Sequence, residues 1–264
     1  MTDNSYGAPG APPLPTISFD SPWMWLASGW QDLWRAPGVS LAYGAFFAAV
    51  GCLLTVGLYM LGAWYAVLPL AAGFMLLGPL MAVGLYEISR RHAAGETVNV
   101  VGALAAWRRN PSAIFFSGLG LALVFLLWIR IATLLFAVFY GTRDFQIGSF
   151  IAERFFAADT IIFLALGFGI GGVLATIVFS VTAITFPMIV DKRCAAIEAG
   201  VMSVRVVAHN WRVLSLWAAL ITVFSVAGLA CFFVGLIVVL PLVGHASWHA
   251  YRELTGADRG AENE

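Results

Sequence analysis

Charge is what this sequence has least of. Only 11% of its residues are charged, against 61% hydrophobic and a mean hydropathy of +0.90. A water-soluble domain carries roughly 25% charged residues, so this chain cannot cover a surface that faces water. Fourteen Lys and Arg balance fourteen Asp and Glu, which removes the basic excess that a nucleic-acid partner needs. The three cysteines exclude a disulfide framework, and none has the spacing of a metal or redox pair. Cys52 and Cys231 lie in apolar runs, Cys194 follows Lys192 and Arg193, and all three read as small packing residues. No acid falls in the middle of an apolar run, so a proton relay has little to be built from. Residues 1–20 contain no basic stretch leading into an apolar core, so no cleaved signal peptide is expected. Residues 1–17, rich in Gly, Ala and Pro, read as a disordered tail, and 255–264 as a second short one.

What is present is the composition of membrane helices, with twenty-seven Gly and ten Trp. The stretch from Val239 to Arg252 is apolar, is broken by Pro241, turns aromatic at Trp248 and Tyr251, and stops at Arg252. That is how a helix leaves a bilayer, with aromatics at the headgroups and arginine in the water. The same order occurs from Pro79 through Tyr86 to Arg90, and from Pro187 to Lys192 and Arg193. Spans are expected at about 39–62, 66–86, 112–140, 160–190, 212–229 and 231–251. An amphipathic stretch precedes each pair: Trp23 to Arg35, Val98 to Arg109 and Ala195 to His209. The first puts Trp23, Leu26, Trp30, Leu33 and Trp34 near one face, and the third does so with Ile197, Val201, Val204 and Ala208. Such helices lie in the membrane interface. The expected fold is all-α: one membrane domain over 18–254, with six spans in three hairpins.

The few charges orient it. Arg35, Arg90, Arg91, Arg108, Arg109, Lys192, Arg193, Arg205, Arg212 and Arg252 fall on one side of six spans; Arg143 and Arg154 fall on the other. The positive-inside rule puts both termini in the cytoplasm. All of the first set except Arg35 are candidates to meet anionic lipid headgroups.

Other candidates stand beside plainer readings. His245 and His249 share a helix face at i and i+4, the geometry of paired metal or haem ligands, but interfacial hydrogen bonding explains them as well. Arg130 is the one cation deep in an apolar run; it snorkels, pairs with Asp159, or serves a substrate or gate. Gly167-Phe168-Gly169-Ile170-Gly171-Gly172 has no preceding strand and no Lys-Ser/Thr, so close helix packing is the reading. Glu87 and Asp191, next to Arg90 and Lys192, read as solvated ion pairs.

Gly84-Leu85-Tyr86-Glu87-Ile88-Ser89-Arg90-Arg91, Phe186-Pro187-Met188-Ile189-Val190-Asp191, Asn210 and the segment Leu240-Pro241 to Arg252 resemble a bacterial family of uncharacterised six-span inner-membrane proteins. The likeness covers about 18–254 and implies a fold but no activity. Some members carry a label likening them to the main subunit of cytochrome c oxidase. That core needs more histidine ligands in its spans than the four His of this whole chain can supply. The expected function is non-enzymatic: an inner-membrane protein acting through lipid or a larger membrane complex, without cofactor. A small-molecule or lipid transporter and a haem- or metal-binding subunit are the alternatives.

Overall fold

The computed structural model describes residues 14–63, 66–141 and 158–257, and every regular element among them is helical. The tails at 1–13 and 258–264, the turn aromatics Trp64 and Tyr65, and the loop holding Arg143 and Arg154 lie outside the described residues.

Helix α1 (Ser21–Arg35) opens with Pro22 in its first turn, where a missing N–H costs nothing. Ala36 leaves the helical conformation ahead of Pro37, which starts α2 (Pro37–Met60). The next apolar segment is jointed into α3 (Val67–Leu76), α4 (Gly78–Met81) and α5 (Val83–Ala93), around Pro79. After α6 (Val100–Leu104) and a 3-10 turn (Ala106–Arg109), Asn110 caps α7 (Pro111–Tyr140). Helices α8 (Ala158–Thr182) and α9 (Thr185–Lys192) meet in a break at Ala183 and Ile184. Pro187 causes it, because its ring blocks the bond to the carbonyl four residues back, that of Ala183. The chain ends with α10 (Ala196–His209), α11 (Trp211–Ala230) and α12 (Leu236–Leu254). The run after Trp211 is therefore two helices. They turn through 231–235, where Gly235 and Gly228 touch backbone to backbone.

Among the described residues, four helices are long and apolar enough to cross a membrane: Pro37–Met60, Pro111–Tyr140, Ala158–Lys192 and Trp211–Ala230. Only 6% to 22% of their most apolar stretches is buried inside the protein, so most of their surface is left for lipid. The other two expected spans are built differently. The segment beginning at α3 is jointed, and α12 is apolar to Val243 but lines a polar core beyond it.

Burial is concentrated at one end. There α5, α9 and the second half of α12 converge, with α1 laid along α12. Leu85, Ile88, Phe186, Ile189, Val190, Ala246, Trp248 and Tyr251 are almost wholly buried. The three proline-to-arginine segments of the sequence thus meet one another. Pairing elsewhere departs from three consecutive hairpins: α7 packs on α8 and α11 on α12, but α2 lies chiefly against α12 and α3 against α7. Gly44 permits the α2–α12 crossing, since a Cβ there would strike the backbone of Ile237.

Leu14 to Ile17, expected within the disordered tail, are packed instead. Ile17 is 7% exposed, its N–H donates to Asn210 Oδ1 (3.1 Å), and Asn210 Nδ2 donates to the Pro15 carbonyl (3.1 Å). One side-chain amide holds both peptide groups, which a composition argument cannot foresee.

Candidate functional site

The buried end carries a polar network centred on Asp32. Within α1 the buried face is Trp25, Gly29, Asp32 and Leu33, while Trp23, Trp30 and Trp34 point outward. Gly29 lets α12 approach until a Cβ would stand 2.6 Å from Ala246 N. The Asp32 carboxylate is thereby pushed among residues of α5 and α12. Its Oδ2 accepts from Ser89 Oγ (2.8 Å) and His249 Nε2 (2.9 Å); Oδ1 faces His92 Nδ1 (3.3 Å) and Arg35 Nη1 (3.4 Å). Burial alone would raise this carboxyl, but the hydrogen bonds from His249 and Ser89 and the nearby histidine charges hold it at about 2.

The network runs on into α2. His245, fully buried, has Nδ1 at 2.8 Å from Ser89 Oγ and Nε2 at 3.0 Å from Ser40 Oγ. Ser89 spends its proton on Asp32, so it accepts from His245 Nδ1–H, and Ser40 donates to Nε2. Every proton is then used once along Ser40, His245, Ser89 and Asp32.

A second knot surrounds Glu87, which is 1% exposed rather than solvated. Arg90 grips it with Nε (2.8 Å) and Nη2 (3.0 Å), Arg91 with Nε (2.7 Å), and Arg109 Nε stands 3.6 Å away. Burial acts to raise the Glu87 carboxyl, but the bonds from Arg90 and Arg91 overcome it and the net shift is downward. Two further ties close the end. Tyr251 donates to Asp191 Oδ2 (2.7 Å), and Glu253 accepts from Ser21 (2.8 Å) and Trp25 Nε1 (2.6 Å).

The structure splits the basic residues singled out by sequence. Arg90, Arg91 and Arg109 are tied to Glu87, and Arg252 is half-buried. Arg108, Lys192, Arg193, Arg205 and Arg212 are exposed, with Arg108 stacked on Trp107 (5.5 Å) and Arg212 on Trp211 (5.3 Å). Arg130 is exposed on α7 and, among the described residues, has no ion-pair partner, Asp159 included. Gly171 packs against Trp128 as a packing role requires, whereas Gly167 faces open space.

His245 and His249 do share a face, and both serve the Asp32 network. Both His245 nitrogens are engaged by serines, Nδ1 by Ser89 and Nε2 by Ser40. Among the described residues no group of His, Cys, Asp and Glu has the arrangement to hold a metal.

Sequence reasoning missed Asp32, Ser89 and Ser40. The signal was available for Asp32: it lies seven residues after Trp25 and three after Gly29, on the face that packs, and it is the only acid within α1.

Residues 67–191 match the family model described as "Predicted integral membrane protein (DUF2189)", a family of unknown function. The protein is an integral membrane protein. The matched region spans α3 to Asp191 in α9 and contains Glu87, Ser89 and Arg109. No curated protein and no solved structure matches the chain.

Proposed function

We propose that this is a non-enzymatic bacterial inner-membrane protein whose interfacial helices engage anionic lipid headgroups. The observation that carries this reading is the outward orientation of three amphipathic helices. In a soluble protein the apolar face of such a helix packs inward. Here Trp23, Trp30 and Trp34 of α1 are 45% to 54% exposed. Val101 and Leu104 of α6 with Trp107 of the following turn, and Ile197, Val201 and Val204 of α10, are exposed too. The buried side of α10 is narrower, made of Ala199, Ser203 and Val206. A helix that turns apolar side chains away from its own protein, with arginines at its ends, fits the membrane interface.

On this reading α3 to α5 and α12 complete six spans with the four long helices, and both termini are cytoplasmic. The interface helices then ring the cytoplasmic side, where anionic lipid is met. The function needs no cofactor; partners are lipids and, through the same apolar faces, subunits of a larger membrane complex. The test is thermal stability of the full chain in nanodiscs of phosphatidylcholine alone or mixed with phosphatidylglycerol. A higher melting temperature with phosphatidylglycerol is expected, because a ligand of the native state stabilises it. Equal melting temperatures would sink the reading.

A further inference from the structure

Two turns of the chain are stapled together beside the Glu87 knot. Asn110 Nδ2 donates to the Cys194 carbonyl (2.8 Å), and Arg109 Nε donates to the Val190 carbonyl (3.2 Å). The staple brings the C-terminal end of the 3-10 turn, Arg108 and Arg109, beside that of α9, Lys192 and Arg193. The nearby carboxylates are already engaged: Glu87 mainly by Arg90 and Arg91 and more distantly by Arg109 (3.6 Å), Glu96 by Arg90, Asp191 by Tyr251. Glu198 on α10 acts on Cys194 but makes no ion pair with these cations among the described residues.

The plain role for cations at helix C-termini is to offset the carbonyl ends. That role consumes one donor here, Arg109 Nε. The terminal nitrogens of Arg109 make no hydrogen bond among the described residues, and Arg108, Lys192 and Arg193 are exposed. Arg109 is pushed down first by burial and then by the like charge of Arg90; Glu87 opposes this, and Arg193 adds to it. Arg109 shares Glu87 with Arg90 and Arg91, at 3.6 Å, whereas Arg108, Lys192 and Arg193 make no ion pair among the described residues. Arg193 also sits at φ 53, a left-handed conformation in which Gly is the ordinary helix-ending residue. A long cation at a position suited to Gly is a local strain that folding alone does not require.

We propose that Arg108, Arg109, Lys192 and Arg193 form a binding site for a phosphate group. Guanidiniums recognise phosphate through paired N–H donors, and Trp107, on which Arg108 stacks, is placed to meet the glycerol and acyl region of a lipid. The proposal rests on the membrane-interface reading above and sharpens it from a diffuse basic surface to one site.

Native mass spectrometry of the detergent-solubilised full chain tests it, with phosphatidylglycerol, phosphatidylcholine and inorganic phosphate as probes. The wild type should retain phosphatidylglycerol in preference to phosphatidylcholine. The double change Lys192→Gln with Arg193→Gln should weaken that retention about 25-fold, at roughly a factor of five per cation near an anionic surface. Arg212→Gln, outside the cluster but beside an equivalent tryptophan, should weaken it by no more than the factor of about five that one cation contributes near an anionic surface. Equal loss in both variants would overturn the site while leaving the broader lipid reading intact. No preference for phosphatidylglycerol in the wild type would remove both. Displacement of the lipid by inorganic phosphate would show that free phosphate suffices; resistance to displacement would assign the site to a lipid phosphate. Arg193→Gly separates binding from folding, since glycine suits the left-handed backbone. It should hold or raise thermal stability while weakening retention. A fall in stability would make Arg193 structural and overturn its role in the site.

Discussion

His249 Nε2 stands 2.9 Å from Asp32 Oδ2, so the last helix closes onto the first across 217 positions of sequence. Asp32 is the acceptor on which this closure depends. Replacing it with Ala leaves His249, Ser89 and His92 without their carboxylate in a buried setting. Breaking a buried polar knot by removing one partner costs roughly 3–5 kcal/mol. Asp32→Ala is therefore expected to lower the melting temperature in detergent by many degrees. Asp32→Asn, which keeps an acceptor oxygen but no charge, should fall between it and the wild type. Wild-type stability in both variants would show the network to be incidental.

Acid should loosen the same knot, and the sign follows from the direction of the shift. The Asp32 carboxyl is held at about 2, below its ordinary 3.8, so the folded state favours the ionised form. Its contribution is complete above about pH 4 and disappears as pH falls through about 2, amounting to about 2 kcal/mol. Glu87 is shifted the same way and adds in the same direction. Melting temperature measured from pH 6 down to pH 2 should fall for the wild type, and less steeply for Asp32→Asn. Parallel slopes would contradict the assignment.

Two glycines make a matched pair for testing the helix crossings. A Cβ on Gly29 would stand 2.6 Å from Ala246 N and 2.9 Å from the Leu242 carbonyl, both backbone atoms that cannot step aside. Gly29→Ala should thus destabilise the protein by about 1–3 kcal/mol, as overpacking does. Gly172 has nothing within 4 Å of the same position, and Gly172→Ala should stay within about 0.5 kcal/mol of the wild type. Urea or thermal unfolding in one detergent compares them directly.

Native cysteines report the topology. Cys194 lies beside the basic rim, whereas Cys231 is exposed at the far end of α11, a helix about 30 Å long at 1.5 Å per residue. With the basic end in the cytoplasm, a membrane-impermeant maleimide should label Cys231 in right-side-out vesicles and Cys194 in inverted ones. The opposite pattern would reverse the orientation; labelling of both from one side would break the six-span reading.

The apolar architecture was legible because bilayer helices are written in long uninterrupted runs. Pro37–Met60 and Pro111–Tyr140 lie within two residues of the expected ends. The three proline-to-arginine segments were recognisable as related, and they do meet in the core. What the sequence did not disclose was how they meet. A periodicity marks which residues share a face but not whether that face looks at lipid or protein. The tryptophan face of α1 looks outward, and the lone carboxylate of that helix looks in. Glu87 was misleading for a related reason: flanking arginines look the same in sequence whether they are solvated or folded over a buried acid. His245 and His249 were correctly placed on one face, but only the coordinates supply the serines that occupy the ring of His245. The docking of Leu14 to Ile17 on Asn210 had no periodic signal at all.

The pairing of α1 with α12 also bears on how the protein is made. Helix α1 is made before α12, yet the partners of Asp32, Ser21 and Trp25 are His249 and Glu253 of α12. Threading the long helices into the bilayer can proceed one after another, but sealing the polar end must wait for α12. Until α12 is in place, the Asp32 carboxylate therefore lacks its partner on that helix and the polar end stays open.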